Sequence, residues 1–185
     1  MKKILLLSTI AIFGISNLMN AQNVDFGFKT GLNISNVTGG DIDRNNLFVF
    51  HIGGFAEFKI SEKFSLQPEL LYSRQGSEAK NLVKLKIDYL VIPLMAKYYL
   101  SKKFSLEAGP QISFLINDKF DFNDSSIPDA GTDASSFDFG LNLGFGYHIN
   151  SNLFTQVRYN YGITSISENP EIKSSVFQIS LGYKL

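Results

Sequence analysis

From Val24 onward apolar side chains recur at every second position, and nowhere does the 3.6-residue period of a helix hold for long. Residues 24–34 show the pattern. Val24, Phe26, Phe28, Thr30, Leu32 and Ile34 share one face, and Asp25, Gly27, Lys29, Gly31 and Asn33 share the other. The alternation is cleanest over 137–149, where Phe137, Phe139, Leu141, Leu143, Phe145, Tyr147 and Ile149 oppose Asp138, Gly140, Asn142, Gly144, Gly146 and His148. The same reading covers 48–60, 64–74, 85–100, 104–116, 153–163 and 176–185, which predicts eight strands, each with two unlike faces.

The connections come in two lengths. Three residues separate strands two and three (61–63), four and five (101–103), and six and seven (150–152), whereas 35–47, 75–84, 117–136 and 164–175 are longer and polar. The short turns also repeat as sequence. Ile60-Ser61-Glu62-Lys63-Phe64-Ser65-Leu66 returns almost unchanged as Leu100-Ser101-Lys102-Lys103-Phe104-Ser105-Leu106, and more loosely as Ile149-Asn150-Ser151-Asn152-Leu153-Phe154. The repeated unit is a hairpin, and an even set of hairpin-linked strands closes into a barrel without free edges. Short turns at one end and long polar loops at the other are the arrangement of barrels that cross an outer membrane, with the short turns periplasmic. The fold class expected is therefore all-β: an eight-stranded antiparallel up-and-down transmembrane β-barrel.

Alternation alone leaves open which face looks outward, since a soluble ligand-binding barrel would turn its apolar face in. The contents of the faces favour lipid outside. The polar faces gather five acids, Asp25, Glu57, Glu69, Glu107 and Asp138, and five bases, Lys29, Lys59, Lys97, Arg158 and Lys184, interspersed with glycines. Balanced charge among small residues suits a crowded interior, so these ten are predicted to form a charge network inside the barrel. The apolar faces carry Phe58, Phe64, Tyr98, Phe104, Tyr147 and Tyr183 near the short turns, with Phe50, Tyr72, Phe137 and Tyr161 toward the long loops. Two such rows match the aromatic girdles of a membrane interface. Strand four is ambiguous, because Asp88 shares a face with Leu90, Ile92 and Leu94 while Lys97 shares one with Val91, Pro93 and Met95. We take the stretch from Leu90 as lipid-facing, with a bulge or the membrane edge near Asp88. Pro68, Pro93 and Pro110 also fall within strands, each without a ladder donor, and bulges are expected there.

Composition narrows the classes further. With 17 Phe, 8 Tyr and 15 Gly, 18% charged residues and no basic patch, the chain fits neither a disordered nor a nucleic-acid-binding protein. Lys2 and Lys3 precede an apolar run from Ile4 to Ile15, too short for a spanning helix of about 20 residues. Residues 1–21 read as a cleaved export signal ending at Ala21, and 22–185 as a single barrel domain. Removing two of the 17 basic residues leaves 15 against 17 acids. The absence of cysteine excludes disulfides, thiolate metal sites and a cysteine lipid anchor.

Several stretches carry a family resemblance: Gly27 and Gly31 in the first strand; Phe64-Ser65-Leu66-Gln67-Pro68-Glu69-Leu70-Leu71-Tyr72-Ser73; and Tyr89-Leu90-Val91-Ile92-Pro93-Leu94 followed by Lys97-Tyr98. Over its whole mature length the chain resembles the outer-membrane β-barrel domain family abundant in Bacteroidetes, described as porin-like or PorT-like and akin to small barrels of the OmpA and OmpX type. The end, Phe177 to Leu185, looks like the terminal strand read by barrel-assembly machinery, with Leu185 in place of the commoner Phe. The resemblance implies an architecture, a place in outer-membrane lipid and that machinery as a partner during assembly. It implies no defined activity.

Candidate sites are few. His51 and His148, the only histidines, fall on the polar faces and are read as hydrogen-bonded filler, since a hydrolase would need Ser, His and an acid side by side with access to lipid. Asp118, Asp121, Asp124, Asp129 and Asp133 enrich one long loop in oxygen ligands, but their spacing lacks the ladder of a calcium loop, so a solvated acidic loop is the reading adopted. No catalytic residue, metal site or cofactor is expected. Eight strands enclose only enough room for side chains, which points to an occluded lumen. The leading expectation is a structural or interaction protein acting through four long extracellular loops on extracellular or envelope partners. The alternatives are a transport or secretion accessory, a narrow porin and a lipid-modifying enzyme.

Overall fold

A computed structural model describes residues 24–38, 44–79, 83–122, 135–165, 167–168 and 171–185, so the expected signal at 1–21 lies outside the described residues. The strands are β1 (Val24–Thr38), β2 (Arg44–Lys59), β3 (Phe64–Ala79), β4 (Val83–Tyr99), β5 (Phe104–Phe122), β6 (Phe137–His148), β7 (Leu153–Gly162), the two-residue β8 (Ser167–Glu168) and β9 (Glu171–Lys184). Neighbours pair antiparallel in chain order from β1 to β7, β7 pairs with β9, and β9 pairs with β1. Eight strands thus close a barrel, and β8 only extends the last loop by pairing with the start of β9.

The three short turns share one device. Ser61 Oγ accepts from the amides of Lys63 and Phe64 (3.4 and 3.1 Å), Ser101 Oγ from Lys103 and Phe104 (both 3.2 Å), and Asn150 Oδ1 from Asn152 and Leu153 (2.9 and 2.7 Å). A side-chain acceptor that folds back on the next amides holds each turn, which explains why the sequence repeats there. The amides of Ile60, Leu100 and Ile149 each donate to the carbonyl four residues on, at 2.9 Å, closing the hairpins identically.

Partner by partner, the register runs from Val24 through Phe58, Leu66, Ala96, Ala108, Leu143, Tyr159 and Phe177 back to Ile34. Ile34 lies 34 − 24 = 10 residues above the start, so the barrel has a stagger of ten. With a rise of ~3.3 Å per residue and ~4.8 Å between strands, that stagger tilts the strands by roughly 41° and gives a backbone radius of about 8 Å. Opposite side chains then meet across the axis.

Burial is inside out. Among the described residues thirty large hydrophobics are exposed, Phe28, Phe48, Leu143 and Phe145 among them, whereas nine are buried beside a long run of buried polar and charged groups. The exposed set includes Tyr98, Phe104 and Tyr183 of the row expected near the short turns and Phe50, Phe137 and Tyr161 of the row toward the long loops, while Phe58, Phe64, Tyr72 and Tyr147 are half-buried. Cross-strand pairs link Phe104 with Tyr147 (4.9 Å), Phe114 with Phe137 (5.9 Å) and Phe50 with Tyr72 (5.8 Å). Such a surface is stable only where it does not meet water.

Three details differ from the sequence pattern or refine it. The strands outlast their apolar alternation at the long-loop end, so β3 reaches Ala79, β4 starts at Val83 and β5 reaches Phe122 within stretches that read as loop. A register shift between Asp88 and Tyr89 on the β4–β5 ladder supplies the bulge expected there, and another lies between Asn46 and His51 on β2–β3. The prolines, by contrast, shift no register. Each ladder skips the pairs around Pro68, Pro93 or Pro110 and resumes in step on the far side, because a lost donor costs one bond while the flanking bonds still fix the alignment. Gly76, at φ 139°, occupies backbone that favours glycine, and its amide donates to Ser35 Oγ (2.9 Å).

Candidate functional site

The inward faces of all eight wall strands converge on the axis, and there the charges meet. Of the ten acids and bases singled out on the polar faces, nine form one chain of alternating sign. Lys29 contacts Glu69 (2.7 Å), and Glu69 contacts Arg158 (2.9 Å). Arg158 reaches Glu107 (3.2 Å), and Glu107 faces Lys97 (3.6 Å). Lys97 contacts Glu57 (3.3 Å), and Glu57 contacts Lys184 (2.8 Å). Lys184 meets Asp25 (3.1 Å), which also holds Lys59 (2.9 Å) at the open short-turn end. The tenth, Asp138, stands apart on β6, where its carboxylate accepts from Thr164 Oγ1 (2.7 Å) and Ser174 Oγ (3.2 Å).

Neutral amides and hydroxyls add to the coordination, which leaves only Arg158 Nε of the ion chain's buried polar atoms without a partner among the described residues. Gln156 donates to both oxygens of Glu107 (2.9 Å each) and accepts from Lys29 (3.3 Å). Gln67 bridges Lys97 (3.0 Å) and Glu69 (2.7 Å). Ser65 donates to Glu57 at 2.7 Å, and the Tyr99 hydroxyl donates to the same carboxylate. A buried ion is tolerable only when its remaining donors and acceptors are occupied in this way. Below the central charges Phe55 and Phe154 meet edge to face across the axis (5.4 Å), both fully or nearly buried. Gly27 and Gly182 make room for them, since a Cβ at either would run into the Phe55 or the Phe154 ring.

Toward the long loops the filling turns neutral. His51 Nδ1 lies 2.7 Å from Asn33 Oδ1 and its Nε2 2.8 Å from Ser180 Oγ, while Asn33 also contacts Ser73 and Gln178. Serine, histidine and an amide in line repeat the order of an acyl-transfer triad. All three are sealed inside the wall, at 3%, 0% and 0% exposure, so the contacts hold the ring rather than present a nucleophile. His148 departs from the hydrogen-bonded reading. Neither ring nitrogen has a hydrogen-bond partner, and the ring sits between Tyr99 (5.7 Å) and Phe154 (5.6 Å).

The alternation pattern missed the apolar part of the interior. Leu71, Ile87, Tyr89 and Val91 form a buried cluster on the inward side of β3 and β4. Leu71 falls in step with Glu69 and Ser73, a phase that could have marked it as internal. On the outside, Asp88 binds Arg74 through two bonds (2.6 and 2.9 Å) beside the Tyr72 hydroxyl (3.2 Å), so the charge that made strand four ambiguous is paired on the outer face. Among the described residues no group of three or more metal-ligating side chains occurs; Asp124, Asp129 and Asp133 of the acidic loop lie outside them.

An apolar exterior around a charged interior is the pattern of a barrel immersed in lipid, and residues 20–168 match the outer membrane protein beta-barrel domain family. The chain belongs to that family. Solved structures agree on the fold. Neisserial surface protein A is similar at 14% identity, with 88% of this chain and 99% of that one covered and a TM-score of 0.65. Ail, the attachment invasion locus protein of Yersinia pestis, is similar at 13% identity over 87% of this chain and 98% of that one, with a TM-score of 0.58. A search of the curated proteins finds no match. The protein is an outer-membrane β-barrel of the same architecture as these small barrels.

Proposed function

We propose that the protein is a closed scaffold: a barrel with an occluded lumen that holds four long loops at the cell surface, where they contact extracellular or envelope partners. The single observation that carries the reading is the nine-membered ion chain, which together with the Phe55–Phe154 pair fills the lumen and leaves its central charges no more than 3% exposed. An interior whose cations and anions are spent on one another has no charged lining left to conduct a solute. The names of the two structural relatives, an attachment invasion protein and a surface protein, are in keeping with a surface role.

In this reading the short turns and both ends of the barrel face the periplasm, the export signal is removed, and β9 is the strand that the assembly machinery recognises before it pairs with β1. Planar-bilayer recordings of refolded protein should show no stable large conductance. A sustained open level would overturn the closed lumen and favour a narrow porin. Shortening the long loops should abolish partner or surface binding while insertion survives. A deletion strain with normal adhesion and an altered secretome would instead favour the secretion accessory.

A further inference from the structure

At the short-turn end the last members of the ion chain open onto a cluster of further cations that the chain does not use. Two adjoining concavities of about 440 and 600 Å³ share Lys59, Tyr99 and Lys102. The first adds Lys103, Lys184 and His148, with Asp25 as its carboxylate; the second adds Lys63, with Glu62. Five ammonium groups therefore line a mouth with two carboxylates of its own; Asp25 is divided between Lys59 and Lys184, and Lys184 is also held by the buried Glu57 (2.8 Å). Lys63, Lys102 and Lys103 make no ion pair among the described residues.

Beside these lysines is a polar group that lacks a partner. His148 is only 9% exposed, both of its ring nitrogens lack hydrogen bonds, and the ring lines the first concavity between Tyr99 and Phe154. Buried polar atoms are rarely left unmatched without a reason. The Tyr99 hydroxyl is already committed to Glu57, so the charged donors at the mouth are ammonium groups, with one imidazole N–H and the neutral turn side chains Ser61, Ser101 and Asn150 beside them. The complement of such a set is an anion with several oxygens and more than one charge, and lysine ammonium groups suit phosphate as mobile point charges.

We propose that the short-turn mouth binds a phosphate group, held by Lys102 and Lys103 with His148 at its floor. The group belongs either to the headgroup of an anionic phospholipid in the adjoining leaflet or to a soluble phosphorylated molecule. The site is independent of what the long loops bind.

The two histidines supply the assay. Histidine-labelled protein in phosphatidylcholine nanodiscs gives one ring signal from His148 and one from His51, whose nitrogens are both engaged and which serves as the internal control. Titration with sodium pyrophosphate should move the His148 signal saturably and leave His51 in place. Lys102→Gln/Lys103→Gln should weaken this response roughly tenfold, with folding checked by heat-modifiable migration and an unmoved His51 signal. In a second arm, phosphatidylglycerol replaces part of the lipid and no pyrophosphate is added. A His148 shift there identifies the headgroup as the source, and a shift with pyrophosphate alone identifies a soluble ligand. Silence of His148 in both arms, a response that sodium chloride of equal ionic strength reproduces, or equal affinity in the folded double variant would overturn the site.

Discussion

Replacing Glu69 with Gln tests the ion chain where it carries most. The Glu69 carboxylate takes Lys29 at 2.7 Å and both terminal nitrogens of Arg158 at 3.0 and 2.9 Å, with the side chains of all three essentially sealed from solvent. Glutamine keeps the volume, so no cavity confuses the result. Among the described residues Lys29 then has no other ion pair, and Arg158 keeps only Glu107. Stranding a buried cation in this way costs about 3 to 5 kcal/mol. Lys59→Gln cuts the same chain at its wet end, where the lysine side chain is 44% exposed, and should cost no more than about 1 kcal/mol. The chain has no tryptophan, so unfolding in urea is best followed by circular dichroism and by migration of unboiled samples. With a slope of ~2 kcal/mol per M, the Glu69→Gln midpoint should fall by about 1.5 to 2.5 M and that of Lys59→Gln by less than about 0.5 M. Equal shifts would refute the reasoning, since they would mean that water screens the centre of the barrel as well as its mouth.

Two further substitutions test packing and surroundings. Gly182→Ala should destabilise by about 1 to 3 kcal/mol by displacing the Phe154 ring, and much of that loss should vanish in a Phe154→Leu background; additive effects in the same urea assay would mean that the two do not touch. Leu143→Arg, at a site 68% exposed on the outer face of β6, should cost about 2 to 4 kcal/mol in vesicles if lipid surrounds it, whereas an unchanged midpoint would place that face in water.

The wall was legible because its constraint is local. A strand between lipid and a packed interior must alternate, and residues 137–149 do so without a break. The ten inward charges could be collected from that phase alone, but which of them touch depends on the stagger of the barrel, a property of the closed wall and not of any one strand. Arg158 and Glu69 are 89 positions apart in the sequence, and nothing in either strand announces the other. Asp138 looked no different from the remaining carboxylates, yet it ends among hydroxyls because β6 carries it above the ionic layer. The same limit explains strand four. Leu71, Tyr89 and Val91 fill the interior with apolar bulk, which weakens the contrast between faces on which the reading depends. His148 could be placed on an inward face, but the pattern could not tell a bonded imidazole from one whose two ring nitrogens lack partners.

Every link of the ion chain joins two different strands, and this bears on how the protein can enter a membrane. The β2–β3 hairpin alone would bring Glu57 and Glu69 into hydrocarbon without Lys97, Lys184, Lys29 or Arg158, which sit on β4, β9, β1 and β7. At roughly 3 kcal/mol for each uncompensated charge at the bilayer centre, no hairpin can partition by itself and wait for the others. Insertion and closure must be a single concerted event, completed only when β9 delivers Lys184 and seals against β1. Fragments that lack the last strand should therefore be rejected by the bilayer and left to periplasmic proteases, so the charges that hold the finished barrel also act as its proofreading.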